Sequence, residues 1–136
     1  MKQITFILDL EIKGTIEEAE AFINNLSVPY TSQCDEPDTN SFEWFLDKSL
    51  KKAILLESFL DSDAACLRVN NLMQSPVNES FQQIFSVYDF KVLGEVNAAL
   101  RNILEGWKPS YLSYDCLLYT SDAADDTPCV DLGGRR

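Results

Sequence analysis

The order of apolar patterns along this chain predicts an α+β domain, an antiparallel sheet with helices packed on one face. Three observations carry that prediction. Residues Gln3 to Ile12 alternate apolar and polar positions, and Thr15-Ile16-Glu17-Glu18 opens a helix with an apolar stripe. The stretch from Ser41 to Leu72 reads as strand, turn, strand, tight corner and helix. With a later strand and helix the order becomes β-α-β-β-α-β, the split-βαβ or ferredoxin-like pattern.

In the first strand, Ile4, Phe6, Leu8, Leu10 and Ile12 share one side, as half-buried strands require. Gly14 ends it. Thr15 and Glu18 then have the spacing of a capping box, in which each side chain takes the other's backbone N–H. The helix that follows presents Ile16, Ala19, Phe22, Ile23 and Leu26 along one face, and Pro29 is expected to limit it, with an irregular turn allowed over Tyr30 to Cys34. Glu36 to Asn40 is a turn cluster.

The next strand places Phe42, Trp44 and Leu46 on one face and Glu43 and Phe45 on the other, and a second runs from Lys52 to Leu60. A hairpin centred on Ser49-Leu50 sets Trp44 opposite Leu55 and Phe42 opposite Glu57. Asp61-Ser62-Asp63 supplies a helix cap and first-turn carboxylates for a helix over Ala64 to Leu72. Ser75-Pro76 starts a short helix to about Gln83, a strand covers Ile84 to Val92, and a last helix covers Glu95 to Leu104. Tyr111 to Tyr114 begins a terminal strand. Ile7, Phe45, Ile54 and Leu56 fall opposite the main apolar stripes, so a second copy of the sheet is the economical cover, giving a homodimer.

The last 21 residues, CLLYTSDAADDTPCVDLGGRR from Cys116 to Arg136, resemble translated sequencing adapter. The codons TGT CTC TTA TAC ACA TCT encode Cys116 to Ser121, and the adapter's continuation supplies the rest in the same frame around a short index at Thr127 and Pro128. Residues 1 to 115 are thus read as one domain whose natural C-terminus is missing, and residues 116 to 136 as an artefactual, unstructured tail.

The tail holds Arg135, Arg136 and four aspartates, so residues 1 to 115 keep 9 basic and 18 acidic side chains, net −9 against −11 for the whole chain. That field opposes nucleic acid and anionic membranes, whose phosphates call for Lys and Arg. Cys34 and Cys66 are too few for a disulfide framework and lack metal-ligand spacing. No apolar run approaches the ~18 residues of a membrane span and no leader pattern opens the chain, so a cytoplasmic protein is expected. The chain has no histidine, which excludes Ser-His-Asp and Cys-His nucleophilic systems and imidazole metal sites. Without a glycine-rich phosphate loop, no cofactor is expected.

Three runs carry a resemblance: Glu36-Pro37-x-Thr39, Phe42-Glu43-Trp44-Phe45, and Glu57-Ser58-Phe59-x-Asp61-Ser62-Asp63-Ala64-Ala65. Together they resemble the antibiotic biosynthesis monooxygenase family over most of residues 1 to 114. The resemblance implies a ferredoxin-like subunit paired sheet to sheet as a dimeric α/β-barrel. It also implies oxidation of a small aromatic quinol or phenol by dioxygen without metal or flavin. The family pattern usually carries a His on the helix after the Asp-Ser-Asp-Ala corner, and here that position is Arg68. Arginine stays charged and only donates.

Oxygenation of that kind needs a dry cavity that favours a phenolate. Glu57 shares a strand face with Ala53, Leu55 and Phe59, where burial raises a carboxyl toward a useful base; the bland reading is a structural partner for Arg68, a Lys or a backbone donor. Arg68 is the candidate anion stabiliser, or a solvated helix residue. Asn71, like Asn70, is placed either to hold a substrate oxygen or to cap the helix. Phe42, Trp44 and Tyr88 are candidate pocket walls, or plain core. The competing class of function is a non-catalytic dimeric protein, structural or small-molecule-binding, on the same fold.

Overall fold

A computed structural model describes residues 3–115; the adapter reading of 116–136 lies outside the described residues. The elements are β1 (Ile4–Ile12), α1 (Ile16–Phe22), a π-helical turn (Ile23–Ser27), α2 (Val28–Gln33), β2 (Thr39–Asp47) and β3 (Lys52–Phe59). They continue with α3 (Ser62–Met73), α4 (Pro76–Ile84), β4 (Phe85–Leu93), α5 (Ala98–Ile103), a 3-10 turn (Glu105–Trp107) and β5 (Ser110–Leu112). The strands form one sheet in the order β2-β3-β1-β4-β5, with helices on one face, the expected ferredoxin-like α+β arrangement.

The sheet is mixed where the pattern suggested antiparallel pairing throughout. β1 pairs antiparallel with β3 and β4, and β2 with β3, but β5 runs parallel to β4. The crossover through α5 carries the chain back along the sheet, so β5 enters in the direction of β4.

The alternation of β1 is realised fully, with Ile4, Phe6, Leu8, Leu10 and Ile12 all buried on the helix side. The core they start also takes Phe22 from α1, Ala65 and Val69 from α3, Phe81 from α4, and Leu100 and Leu104 around α5. On the opposite face Phe45 and Ile54 are exposed while Ile7 and Leu56 are half-buried.

Local chemistry explains the boundaries. The Thr15 hydroxyl accepts from the Glu18 N–H and the Glu18 carboxylate from the Thr15 N–H, both at 3.0 Å, which completes the capping box. The chain continues past Pro29 as a regular helix, α2, where an irregular turn was expected. The π turn before it loosens the ladder by one residue, and Pro29 falls in the first turn of α2, where its missing N–H costs no helical bond. Asp61 caps α3 by accepting the Ala64 N–H at 2.9 Å, and Ser75 caps α4 ahead of Pro76. α5 starts at Ala98, later than Glu95, because Asn97 is the residue that caps it, accepting from the Leu100 N–H at 2.9 Å.

The β2–β3 turn has no Asp-Gly pair. Asp47 organises it instead, its Oδ1 accepting from the Ser49 N–H, the Ser49 hydroxyl and the Leu50 N–H, while Lys51 takes the left-handed conformation at φ 56°. The register that results is the expected one, with Trp44 opposite Leu55 and Phe42 opposite Glu57. Gly94 closes β4 at φ +120°, and a Cβ there would lie 2.5 Å from the Gln3 carbonyl oxygen, so this position requires glycine.

Candidate active site

Glu57 lies near the middle of β3 on the helix side, opposite Phe6 of β1 and Phe42 of β2. Alternation points it into the core with Ala53, Leu55 and Phe59. Only 7% of it is exposed, and among the described residues no side-chain hydrogen bond reaches its carboxyl. Loss of water pushes its pKa up to about 7, against an attraction from Arg68 that lowers it and a repulsion from Glu36 that raises it.

A cavity of about 40 Å³ adjoins this carboxyl. Phe6 and Leu8 of β1, Phe90 of β4, Val69 and Leu72 of α3, Leu104 and Trp107 wall it, with Glu57 and Arg68 as its only charged lining among the described residues. Leu72 and Trp107 are the two lining residues that are not buried, so the side of the cavity nearest the surface lies between α3 and the 3-10 turn. The volume exceeds the roughly 10–15 Å³ that one small molecule such as water needs. Its apolar walls suit an equally small apolar gas.

Arg68 reaches this cavity from the second turn of α3. It is buried, and its guanidinium lies 5.8 Å from the centre of the Phe42 ring. Its ion-pair partner is Glu36, with Nη1 at 3.3 Å from the carboxylate, and each of the two side chains is 4% exposed. Glu36 sits in the turn before β2. It also accepts from Asn71 Nδ2 at 2.7 Å and from the Thr39 hydroxyl at 3.5 Å. Three elements therefore converge on one guanidinium. Arg68 thus makes its ion pair with Glu36, and Glu57 lies beside it on the cavity wall.

The structure brings Glu57, Arg68, Phe42 and Asn71 together and leaves the other candidates elsewhere. Trp44 packs into a separate aromatic group, stacked on Phe85 at 5.2 Å and edge-on to Phe22, with its indole N–H donating to the Ser27 hydroxyl at 3.2 Å. Tyr88 does not line the cavity. Asp9 pairs with Asp89 and Leu10 with Val87, so Tyr88 is the extra residue of a β-bulge. It is 65% exposed on the opposite face, with the Lys52 ammonium 5.1 Å from its ring centre. Asn70 and Glu43 are exposed. Sequence reasoning missed Glu36 as a site residue, although it opens the Glu36-Pro37-x-Thr39 run. It also missed Phe90 on β4, and Leu104 and Trp107, which late elements fold back over the sheet.

Among the described residues, no group of three or more Cys, Asp or Glu side chains is placed to hold a metal ion, and no helix is long and apolar enough to cross a membrane.

No protein-family model and no curated protein sequence matches the chain. Solved structures do. MupZ from Pseudomonas fluorescens superposes with a TM-score of 0.72 at 16% identity, over 93% of this chain and 100% of that one. SnoaB, a cofactor-independent oxygenase from Streptomyces nogalater, superposes at 0.53 and 11% identity, over 72% of this chain and 97% of its own. The structural-genomics protein YJCS gives 0.52 and 16% identity, over 70% and 99%. At these identities the shared property is the fold.

Proposed function

We propose that the chain is a cofactor-independent monooxygenase of the antibiotic biosynthesis monooxygenase type, acting on a small aromatic quinol or phenol. The observation that carries the reading is Glu57: a buried carboxyl with a pKa near 7, on the wall of an apolar cavity it shares with Arg68. The likeness in fold to SnoaB, a cofactor-independent oxygenase, supports it.

In this mechanism Glu57 takes the phenolic proton, which a base near neutral pKa does efficiently. Arg68 donates hydrogen bonds to the phenolate oxygen, held in place by Glu36, so its charge need not reorganise as the anion forms. Phe42 and Asn71 act through Arg68 and Glu36 rather than on the substrate. The phenolate gives an electron to dioxygen held against Phe6, Phe90 and Leu104. One oxygen atom then enters the ring, and the other leaves as water with the two hydrogens the ring gives up, so the substrate is its own reductant. The aromatic ring enters between Leu72 and Trp107, whose side chains must part to widen the cavity. Two subunits paired through the faces bearing Phe45 and Ile54 complete the reading.

Oxygen uptake over a panel of hydroquinones, naphthols and anthrones tests the activity. Uptake with at least one is expected, and Glu57→Gln should lower it by about 100-fold or more. A folded protein that consumes no oxygen across the panel sinks the proposal. One observation favours a second reading, a non-catalytic structural protein: the cavity, at about 40 Å³, is far smaller than an aromatic ring. A folded protein that neither binds a phenol nor takes up oxygen would be its signature.

A further inference from the structure

Two carboxylates address one guanidinium in this core, but the geometry treats them unequally. Glu36 holds Arg68 by Nη1 at 3.3 Å, with Asn71 and Thr39 steadying the carboxylate from either side. Glu57 shares the cavity with Arg68, yet the ion pair is made with Glu36. The other elements packed around Glu57 bring only apolar groups: Phe6 and Leu8 from β1, Phe42 from β2, Phe90 from β4, Leu104 and Trp107 beyond. The charges that face Glu57 are thus Arg68 from α3 and, behind it, Glu36 from the turn before β2.

We propose that Glu36 is a positioning residue: it fixes the Arg68 guanidinium and offsets its charge, so that Glu57 remains a protonatable group in an electrically neutral cavity rather than collapsing into an ion pair.

Without Glu36, Arg68 would have one buried carboxylate left to pair with, and Glu57 would ionise to meet it. A carboxylate locked in such a pair is a poor base for a phenol. The proposal deepens the oxygenase reading, on which the role of that base rests, but the proton itself can be followed without substrate.

The test is a titration of the full chain labelled with 13C at glutamate side-chain carboxyls, with the Glu57 signal assigned by its loss in Glu57→Gln. In the unaltered protein Glu57 should titrate near pH 7. Glu36→Gln keeps the shape and removes the charge, and should lower the Glu57 midpoint by about one pH unit, since an uncompensated opposite charge nearby acts at that scale. Glu36→Asp keeps the charge but withdraws it, and should fall between the two. If only the Asp variant folds, its downward shift carries the test. A Glu57 midpoint unchanged in either folded variant overturns the proposal, as does an upward shift. The oxygenase reading fails separately: a shifted midpoint with no oxygen uptake refutes that activity and leaves the role of Glu36 standing.

Discussion

The helix side of the sheet has two ends that differ by one pleat of the β2–β3 hairpin. At one, Trp44 lies opposite Leu55 and meets Phe22, Phe81 and Phe85 in a run of rings whose neighbouring centroids lie 5.2 to 6.4 Å apart. At the other, Phe42 lies opposite Glu57, and the rings of Phe6, Phe90 and Trp107, with Phe59 packed behind Phe6, line a cavity instead of closing it. Aromatic content is similar; what differs is the carboxyl and guanidinium among the rings. A buried charge needs room and a partner, whereas rings alone interlock. The closed end is a packed aromatic cluster, and the open end keeps a carboxyl and a guanidinium beside a void.

The sharpest way to break the comparison is to hollow the closed end. Phe85 is 1% exposed and touches Trp44, Phe22 and Phe81, so Phe85→Ala should cost about 3–5 kcal/mol in urea unfolding.

The open end should show itself through pH. The Glu57 pKa is raised from 4.5 to about 7 on folding, so between those values the native state holds more protons than the unfolded chain. Stability from this group is fully present below pH 4.5 and is lost as pH rises through about 7, a change of about 3 kcal/mol. Glu57→Gln should flatten that dependence in denaturation experiments at pH 5 and pH 8; parallel curves for the two proteins would contradict the assignment.

The smallest effect belongs to the far face. Tyr88→Ala, at a bulge position away from both ends, should change stability by no more than about 0.5 kcal/mol and leave the Glu57 titration in place. A large change in that titration would show that the two faces communicate.

Much of the frame was legible because it rests on short-range rules. The alternation of β1, the Thr15 capping box, the Asp61 and Ser75 caps and the Phe42–Glu57 register each follow from neighbours or from a single hairpin. The site was only half legible. Glu57 was found from its strand face, but the partner of Arg68 lies 32 residues earlier, in a turn whose acid reads as ordinary loop chemistry. Tyr88 reads as a candidate pocket wall, but it is a bulged residue, which no sequence alternation records, and it lies on the other face. Pro29 misled in the same way, since a π turn has no compositional mark. The parallel placing of β5 depends on the crossover, which no strand pattern encodes.

The position of Trp107 gives the protein an optical asymmetry. The chain has two tryptophans, and one stands at each end of the helix face: Trp44 fixed by its bond to Ser27, Trp107 beside the cavity. Replacing Trp44 by Phe would leave a single tryptophan, in the wall of the cavity, so occupancy of that cavity could be read as quenching or a colour shift from the native fluorescence, with no label attached.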